Sequence, residues 1–357
     1  MSVVAVTHGY PGPSGWNLGG EVSLHRTMVA LGGNTAVLTR TDGPYDIDGV
    51  KVLPINIADV LDIDADPTPL VWQLAKLDAT VVIGQNELSL PAVKAARVLG
   101  IPSMVSVHTP PRHGRRIAQA VRECDAAIYN TQTSATEWGE PASLVVHPPI
   151  GPLPPKPRTL PKGDAYTCLS NLRNKGAGSV LELAALMPEQ RFIIVRSPAE
   201  ITNGLQDFDE IAARLPNVEV HPRVTPCDVA DKYLSRTRIL LVPSWMETYG
   251  MAAIEAAGHG IPTIGITNAH VTEGIGDAQY GIPPSNLDPR ASLEGLTQGV
   301  ATIEANYAAW SKRARERAEY IATRQAQELA RLVEWLPTHP CLSDHSRRRR
   351  ALTIRTR

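Results

Sequence analysis

The sequence lacks several features that would mark particular classes of protein. It has no run of about 18 apolar residues, so it predicts no membrane-spanning helix. Residues 1–10 have no basic segment and no cleavage site, and we expect them to form the first strand of the fold instead of a signal peptide. The cysteines lack metal-site spacing, which favours reduced thiols in a cytoplasmic protein. The four cysteines are Cys124, Cys168, Cys227 and Cys341.

Charge of either sign is not in excess, but it is unevenly distributed. The net charge of -1 combines +5 over residues 340–357 with -6 over the rest of the 357 residues. Residues 337–357 are therefore predicted to form a basic, disordered tail. Such basic regions can contact an anionic acceptor or nucleic acid, or they can bind the protein peripherally to a membrane surface. The alternative is that they are only solvated surface. The basic groups concerned are Arg112, Arg115 and Arg116 and, in the tail, Arg347–Arg350.

Short apolar runs alternate with helix-like segments along the chain, and a proline-dense stretch interrupts the alternation at residues 151–163. This pattern predicts two doubly wound, Rossmann-like α/β domains with parallel sheets, residues 1–150 and 164–336, joined by that linker. The strands are predicted at Ser2–Val6, Ala36–Thr39, Val50–Leu53, Ala79–Gly84, Ile101–Val107, Ala126–Asn130 and Val145–Ile150, and then at Tyr166–Ser170, Phe192–Val195, Val218–Val220, Ile239–Val242 and Ile264–Ile266.

A loop rich in glycine and proline, residues 8–20, separates the first strand from a helix predicted at Glu21–Leu31. Glycines let backbone amides approach an anion, so Gly19 and Gly20 are candidates for binding a phosphate or a sugar. The spacing is not the G-x-G-x-x-G of dinucleotide-binding proteins. An ordinary flexible loop between strand and helix is the alternative.

The most informative stretch runs from Arg238 to Thr267. Its predicted strand ends at Pro243, and a helix follows, with Thr248 as the predicted N-cap. Glu247 and Glu255 lie eight positions apart, about 12 Å if the intervening residues are helical. A helix N-terminus between them would suit a diphosphate. The alternative is that Glu247 caps the helix and Glu255 is a solvated helix residue.

Two further residues stand at the ends of predicted strands, where open α/β sheets bind their ligands. Lys175 precedes Gly176 in a loop between a strand and a helix, where its charge would neutralise a diphosphate; a solvated lysine is the alternative. His108 directly follows the strand Ile101–Val107, and a surface histidine is again the alternative. No cluster of acidic residues has metal-ligand spacing, and neither a cofactor nor an obligatory metal is predicted.

The segment PSWMETYGMAAIEAAGHGIP resembles the E-x7-E motif of the retaining glycosyltransferases of family 4, which have the GT-B fold. The resemblance implies a nucleoside diphosphate sugar as donor, bound in a cleft between the two domains. It implies that Glu247 binds hydroxyls of the donor sugar and Glu255 the ribose. Tyr249, Gly250 and Met251 would then lie at the donor.

Other motifs extend the resemblance over residues 1–335. Gly19–Gly20 matches the family's Gly-Gly-Glu loop, Lys175–Gly176 its Lys-Gly pair on the phosphates, and His108 the histidine that approaches the donor sugar. The sequence departs from the family where an arginine is expected beside the lysine. That position reads Ser170–Asn171, and Arg173 is the nearby arginine left for the role.

The resemblance implies transfer of a sugar to an acceptor hydroxyl with retention of anomeric configuration. The acceptor stays open between a lipid, a small molecule, a protein and nucleic acid. Two alternatives remain. One is an epimerase or hydrolase of sugar nucleotides on the same fold, and the other is a binding module that kept the nucleotide site without turnover.

Overall fold

The computed structural model describes residues 1–12, 19–56, 67–111, 115–140, 143–155, 160–161, 163–197, 207–245, 247–283 and 289–336. The basic residue Arg112 and the tail with Arg347–Arg350 lie outside the described residues. The chain divides into two units, Met1–Pro149 together with the chain from Arg324 onwards, and Ile150–Thr323.

The first unit is built on a sheet of eight described strands in the order β3-β4-β2-β1-β5-β6-β7-β8. Neighbouring strands are parallel, except for the antiparallel pair of β3 and β4. Without the outermost strands the order is that of a dinucleotide-binding fold, with its reversal between β1 and β5. The strands are β1 Ser2–Val6, β2 Asn34–Thr39, β3 Tyr45–Ile47, β4 Val50–Pro54, β5 Val81–Gln85, β6 Ser103–Val107, β7 Ala126–Tyr129 and β8 Leu144–Val145.

The described helices of the first unit follow its strands and cover the sheet, whose strands read as continuous apolar runs because both faces are buried. All five residues of β1, for example, are buried. These helices are α1 Gly19–Leu31, α2 Thr68–Lys76, α3 Ser89–Leu99, α4 Arg115–Glu123 and α5 Gln132–Glu137.

The second unit contains an all-parallel sheet of six described strands in the order β11-β10-β9-β12-β13-β14, again with the dinucleotide-binding order and a reversal between β9 and β12. Its strands are β9 Ala165–Cys168, β10 Phe192–Val195, β11 Val218–His221, β12 Thr237–Val242, β13 Thr263–Ile266 and β14 Gln279–Ile282. Its helices are α6 Ala177–Leu186, α7 Phe208–Ala213, α8 Pro226–Lys232, α9 Met251–Gly258, α10 Ala269–Glu273 and α11 Pro289–Ala305, followed by the first part of α12 Tyr307–Trp335. The predicted fold class, two doubly wound α/β domains with parallel sheets, is confirmed.

The last helix, α12, belongs to both units. The division falls at Arg324, whereas the predicted second domain ran to residue 336. The reason is apolar packing, because Leu332 and Leu336 are buried in the core that contains Val3 and Met28.

Two local expectations need correction. The strand predicted at Val145–Ile150 is the two-residue β8, because Pro148 and Pro149 lack the N–H groups that a sheet requires. Gly19 and Gly20 form the first turn of α1, so they do not belong to the loop before it.

The remaining expectations concern cysteines and membranes. Cys124 and Cys168 are buried and free in the structure. Among the helices that the structure describes, none is long and apolar enough to cross a bilayer.

Candidate functional site

An ion pair lies at the carboxyl edge of the second sheet. Lys175 ends a 3-10 turn after β9, and Glu247 lies in the loop after β12. The Lys175 Nζ is 2.9 Å from the Glu247 Oε2, and the side chains of Lys175 and Glu247 are 35% and 20% exposed. Because β9 and β12 flank the reversal of strand order, their following loops form the crevice where folds of this type bind ligands. The structure therefore brings together two residues that the sequence analysis selected separately.

The loops after β9 and β12 are joined by further contacts. The Trp245 N–H donates to the Asn174 carbonyl oxygen at 2.9 Å, and the Arg173 guanidinium lies 5.8 Å from the centre of the Trp245 ring. Gly176 has φ +79°, and a Cβ there would overlap the carbonyl of Pro243. Glycine is thus required at residue 176 both by its backbone conformation and by the close approach of the second loop.

The two residues that stand where the resemblance expects an arginine have structural contacts instead. The Ser170 hydroxyl lies 2.9 Å from the Ser197 hydroxyl. The Asn171 Oδ1 accepts a hydrogen bond from the Ser197 N–H at 2.8 Å. These side chains fasten the loop after β9 to the end of β10. Arg173 is exposed and stacks on Trp245. It lies two positions before Lys175 and is the arginine nearest in sequence to the ion pair.

The helix after Glu247 begins later than predicted. Its N-cap is Gly250 at φ +82°, not Thr248, and α9 starts at Met251. Residues 247–250 are therefore not helical, and the estimate of about 12 Å between Glu247 and Glu255 loses its premise. Glycine offers no side chain to accept from the first-turn amides. The N–H groups of Gly250 and Met251 thus stand at a helix N-terminus next to the ion pair.

The other residues predicted at the donor differ in exposure. Tyr249 is 2% exposed and packs in the core with Ile254 and Val271, so its ring is not presented to a ligand. Any contact of residue 249 with a bound sugar nucleotide would therefore come from its main chain. Glu255 lies in the second turn of α9 and is half-buried.

His108 lies in the first unit, directly after β6. Its Nε2 is 2.9 Å from the Ser106 hydroxyl, and both residues line a small cavity together with Ser23, Thr27 and Asn130. Burial lowers the pKa of His108 to about 4. The imidazole is therefore neutral at neutral pH, and it can exchange hydrogen bonds without bringing a charge.

A glutamine at the reversal of strand order in the first sheet, Gln85, holds Gly20 and was not among the predicted site residues. The Gln85 Nε2 donates to the Gly20 carbonyl at 3.0 Å, while the Gln85 Oε1 accepts from the Thr7 hydroxyl at 2.8 Å. Gln85 is completely buried at the end of β5. A polar residue at the end of an otherwise apolar strand was the available signal. It fixes the start of α1, and with it Gly19 and Gly20.

Two other groups of residues bear on the predicted partners. Arg115 and Arg116 begin α4, and Arg115 is exposed while Arg116 is half-buried. Within the described ranges, no group of three or more His, Cys, Asp or Glu side chains is placed to hold a metal ion.

Comparisons with known proteins bear on the fold and on the second unit. Residues 164–302 match the family model of glycosyl transferases group 1, whereas no curated protein sequence matches the chain. HepE from Anabaena, in complex with UDP and glucose, is 16% identical with a TM-score of 0.71, over 95% of this chain and 100% of HepE. The trehalose-6-phosphate synthase OtsA is 10% identical with a TM-score of 0.70, over 95% of this chain and 99% of OtsA.

A third similar structure is the UDP-forming α,α-trehalose-phosphate synthase from Burkholderia xenovorans, in complex with glucose-6-phosphate. It is 12% identical with a TM-score of 0.69, over 94% of this chain and 100% of that enzyme. At such identities the likeness establishes the fold. The chain therefore has the GT-B fold, and its second unit carries the sequence pattern of the group 1 glycosyl transferases.

Proposed function

We propose that this protein is a glycosyltransferase that moves a sugar from a nucleoside diphosphate sugar to an acceptor hydroxyl. The observation that carries the proposal is the ion pair of Lys175 and Glu247 in the crevice of the second sheet. A cation suits the diphosphate, and a carboxylate next to it suits sugar hydroxyls. The match of residues 164–302 to the group 1 glycosyl transferases supports the same assignment.

The diphosphate would be bound by the positive groups at the ends of β9 and β12. Lys175 supplies a full charge, and the N–H groups of Gly250 and Met251 at the start of α9 supply the dipole of a helix N-terminus. Arg173, stacked on Trp245, is the second cation in this proposal. As the diphosphate leaves, its negative charge grows, and these groups stabilise it more strongly than they stabilise the bound donor.

The ion pair must rearrange when the donor binds. In the free protein Glu247 accepts from Lys175, whereas in the complex Lys175 would turn to the phosphates and Glu247 to the sugar hydroxyls. Both side chains are partly exposed, so the rearrangement requires no unpacking of the core. Glu255 would bind the ribose hydroxyls. In the first unit, the neutral His108 would contact the donor sugar, and Gly19 and Gly20 would approach the phosphate and the acceptor.

We further propose the retaining mechanism of family 4, without an obligatory metal. The bond between the anomeric carbon and the diphosphate oxygen breaks, and its electron pair leaves with the nucleotide. The acceptor oxygen attacks the same face of the sugar and passes its proton to the departing phosphate oxygen. Nuclear magnetic resonance of the product tests this step, because it reports the anomeric configuration of the new bond. An inverted product would exclude retention.

A thermal-shift screen tests the donor site. The ligands are UDP, GDP, ADP, CDP and dTDP with their common sugar conjugates, and UDP is tested first because the HepE structure contains it. A ligand at 100 times its Kd adds about 2.7 kcal/mol of stability. Stabilisation by one nucleotide family that falls by about 1.4 kcal/mol or more in Lys175→Ala supports the proposal, and no response to any of them would overturn it.

Incubation of the donor with and without candidate acceptors separates the alternatives. Release of free sugar at the same rate with every acceptor would indicate a hydrolase, and an altered sugar still attached to its nucleotide would indicate an epimerase. Tight nucleotide binding without turnover, unchanged in Glu247→Ala, would indicate a binding module.

A further inference from the structure

Asn268 connects the candidate site to the neighbouring strand. It lies two residues beyond Ile266, the last residue of β13, and it is half-buried. Its Nδ2 donates to the main-chain carbonyl of Glu247 at 3.0 Å. Its Oδ1 accepts from the Val271 N–H at 2.9 Å and so caps the N-terminus of α10.

Both hydrogen bonds have fixed directions. A main-chain N–H can only donate and a main-chain carbonyl can only accept, so the two contacts at once require a side chain with a donor and an acceptor on one rigid plane. Asparagine meets this requirement. Aspartate supplies the acceptor without the donor, and the single hydroxyl of serine cannot reproduce the planar pair of contacts.

The bond from Asn268 completes the fixation of Glu247. The carboxylate of Glu247 is held by the Lys175 ammonium at 2.9 Å and more weakly by the Thr248 N–H at 3.3 Å. Both of these contacts involve side-chain oxygens of Glu247. The contact from Asn268 is to the main chain, and it fixes the peptide plane from which the Glu247 side chain departs.

The segment that carries Asn268 is itself immobilised. At the other end of α10, Arg317 Nε donates to the Gly274 carbonyl at 2.6 Å and Arg317 Nη2 donates to the Glu273 carbonyl at 3.1 Å. Gly274 also lies so close to the Tyr249 carbonyl that a Cβ would reach within 2.6 Å of its oxygen. Asn268 is thus a fixed reference point for the loop after β12.

We propose that Asn268 is a positioning residue for Glu247, which orients the carboxylate for the sugar of the donor. This inference rests on the proposed function, in which Glu247 contacts sugar hydroxyls and the nucleotide is bound by other groups. Loss of the Asn268 donor should therefore weaken binding of the sugar conjugate and leave binding of the free nucleotide unchanged.

The test compares Asn268→Asp and Asn268→Ser with wild type and Glu247→Ala. The probes are a nucleoside diphosphate and its sugar conjugate, taken from the nucleotide family that stabilises the protein most in the thermal-shift screen. Aspartate and serine are good N-caps, so the melting temperatures should stay close to that of wild type. Calorimetry should show a loss of about three- to tenfold in affinity for the conjugate, the worth of one hydrogen bond. Affinity for the free nucleotide should stay within about twofold of wild type.

A double-mutant cycle identifies the route of the effect. In the Glu247→Ala background, Asn268→Ser should cause no further loss of affinity for the conjugate, because the group it positions is gone. Wild-type affinity of both Asn268 variants, with weakened binding by Glu247→Ala, would overturn this inference and leave the proposed function intact. Equal losses for nucleotide and conjugate, following the melting temperature, would reduce Asn268 to a helix cap and also overturn it. Wild-type affinity of Glu247→Ala would instead refute the role given to Glu247 in the proposed function.

Discussion

The Lys175 Nζ lies 2.9 Å from the Glu247 Oε2, although 72 positions separate the two residues in the chain. The contact exists because β9 and β12 are parallel neighbours in the sheet, while β10 and β11 lie on the other side of β9. Each residue follows its strand at the carboxyl end. The order of the strands therefore creates the candidate site, and the consequences can be measured residue by residue.

Replacement of Lys175 should weaken nucleotide binding. Lys175→Ala removes the charge that faces the phosphates, and we expect at least a tenfold loss of affinity, about 1.4 kcal/mol, for both the free nucleotide and its conjugate. Calorimetry measures both. The control is Lys232→Ala, which removes an exposed lysine paired with Asp228 on α8 and should leave both affinities unchanged. Equal behaviour of the two variants would contradict the role of Lys175.

The two glutamates of the E-x7-E pattern should have separable effects. Glu247→Gln should weaken binding of the sugar conjugate and leave binding of the free nucleotide unchanged. Glu255→Gln should weaken binding of both, since both contain the ribose. We expect losses of about ten- to hundredfold, since a hydrogen bond to a charged group contributes ~1.5–3 kcal/mol net of the exchange with water. Glu182→Gln, on the exposed side of α6, is the matched control. The assignment fails if Glu255→Gln affects the conjugate alone.

Gly176 should be sensitive to any side chain. Gly176→Ala combines a left-handed backbone conformation with overlap against Pro243. Gly49→Ala is its matched control, because Gly49 has φ +80° and no atom within 4 Å of the added Cβ. The control should lose about 1 kcal/mol of unfolding free energy, and Gly176→Ala should lose clearly more and also weaken nucleotide binding. Similar denaturation midpoints for the two variants would show that the loops can separate without cost.

His108 should make stability depend on pH. Burial lowers its pKa from 6.5 to about 4, so the folded protein favours the neutral imidazole. Below pH 6.5 the unfolded chain binds this proton first, and the stability contributed above pH 6.5 is lost progressively as the pH falls towards 4. His108→Asn lacks this dependence.

The expected size of this effect is about 1–2 kcal/mol between pH 7 and pH 5, since one pKa unit corresponds to ~1.4 kcal/mol. Denaturant unfolding of wild type and His108→Asn at both pH values measures it. The wild type should lose more stability than the variant on acidification. Parallel losses in the two proteins would show that His108 titrates normally.

The sequence determined the elements and the chemistry of single positions. Continuous apolar runs such as Ile239–Val242 specify buried parallel strands because both faces of the sheet must be covered. Lys175, Glu247 and His108 follow strand ends and are candidates because ligand sites of such sheets lie there. Local signals failed where backbone geometry intervened, as at Gly250, whose positive φ delayed the helix that Thr248 was expected to begin.

Only the tertiary structure decided which of these positions meet. Strand order placed Lys175 beside Glu247, and packing buried the Tyr249 ring. Ser170 and Asn171, at the position where the resemblance expected a phosphate-binding arginine, hold a loop instead. It also divided α12 between the two units and gave Gln85 and Asn268 their main-chain partners at Gly20 and Glu247. The physical reason is common to all of these cases. Contacts between loops depend on which strands are neighbours and on the close packing behind them, and no local pattern encodes either.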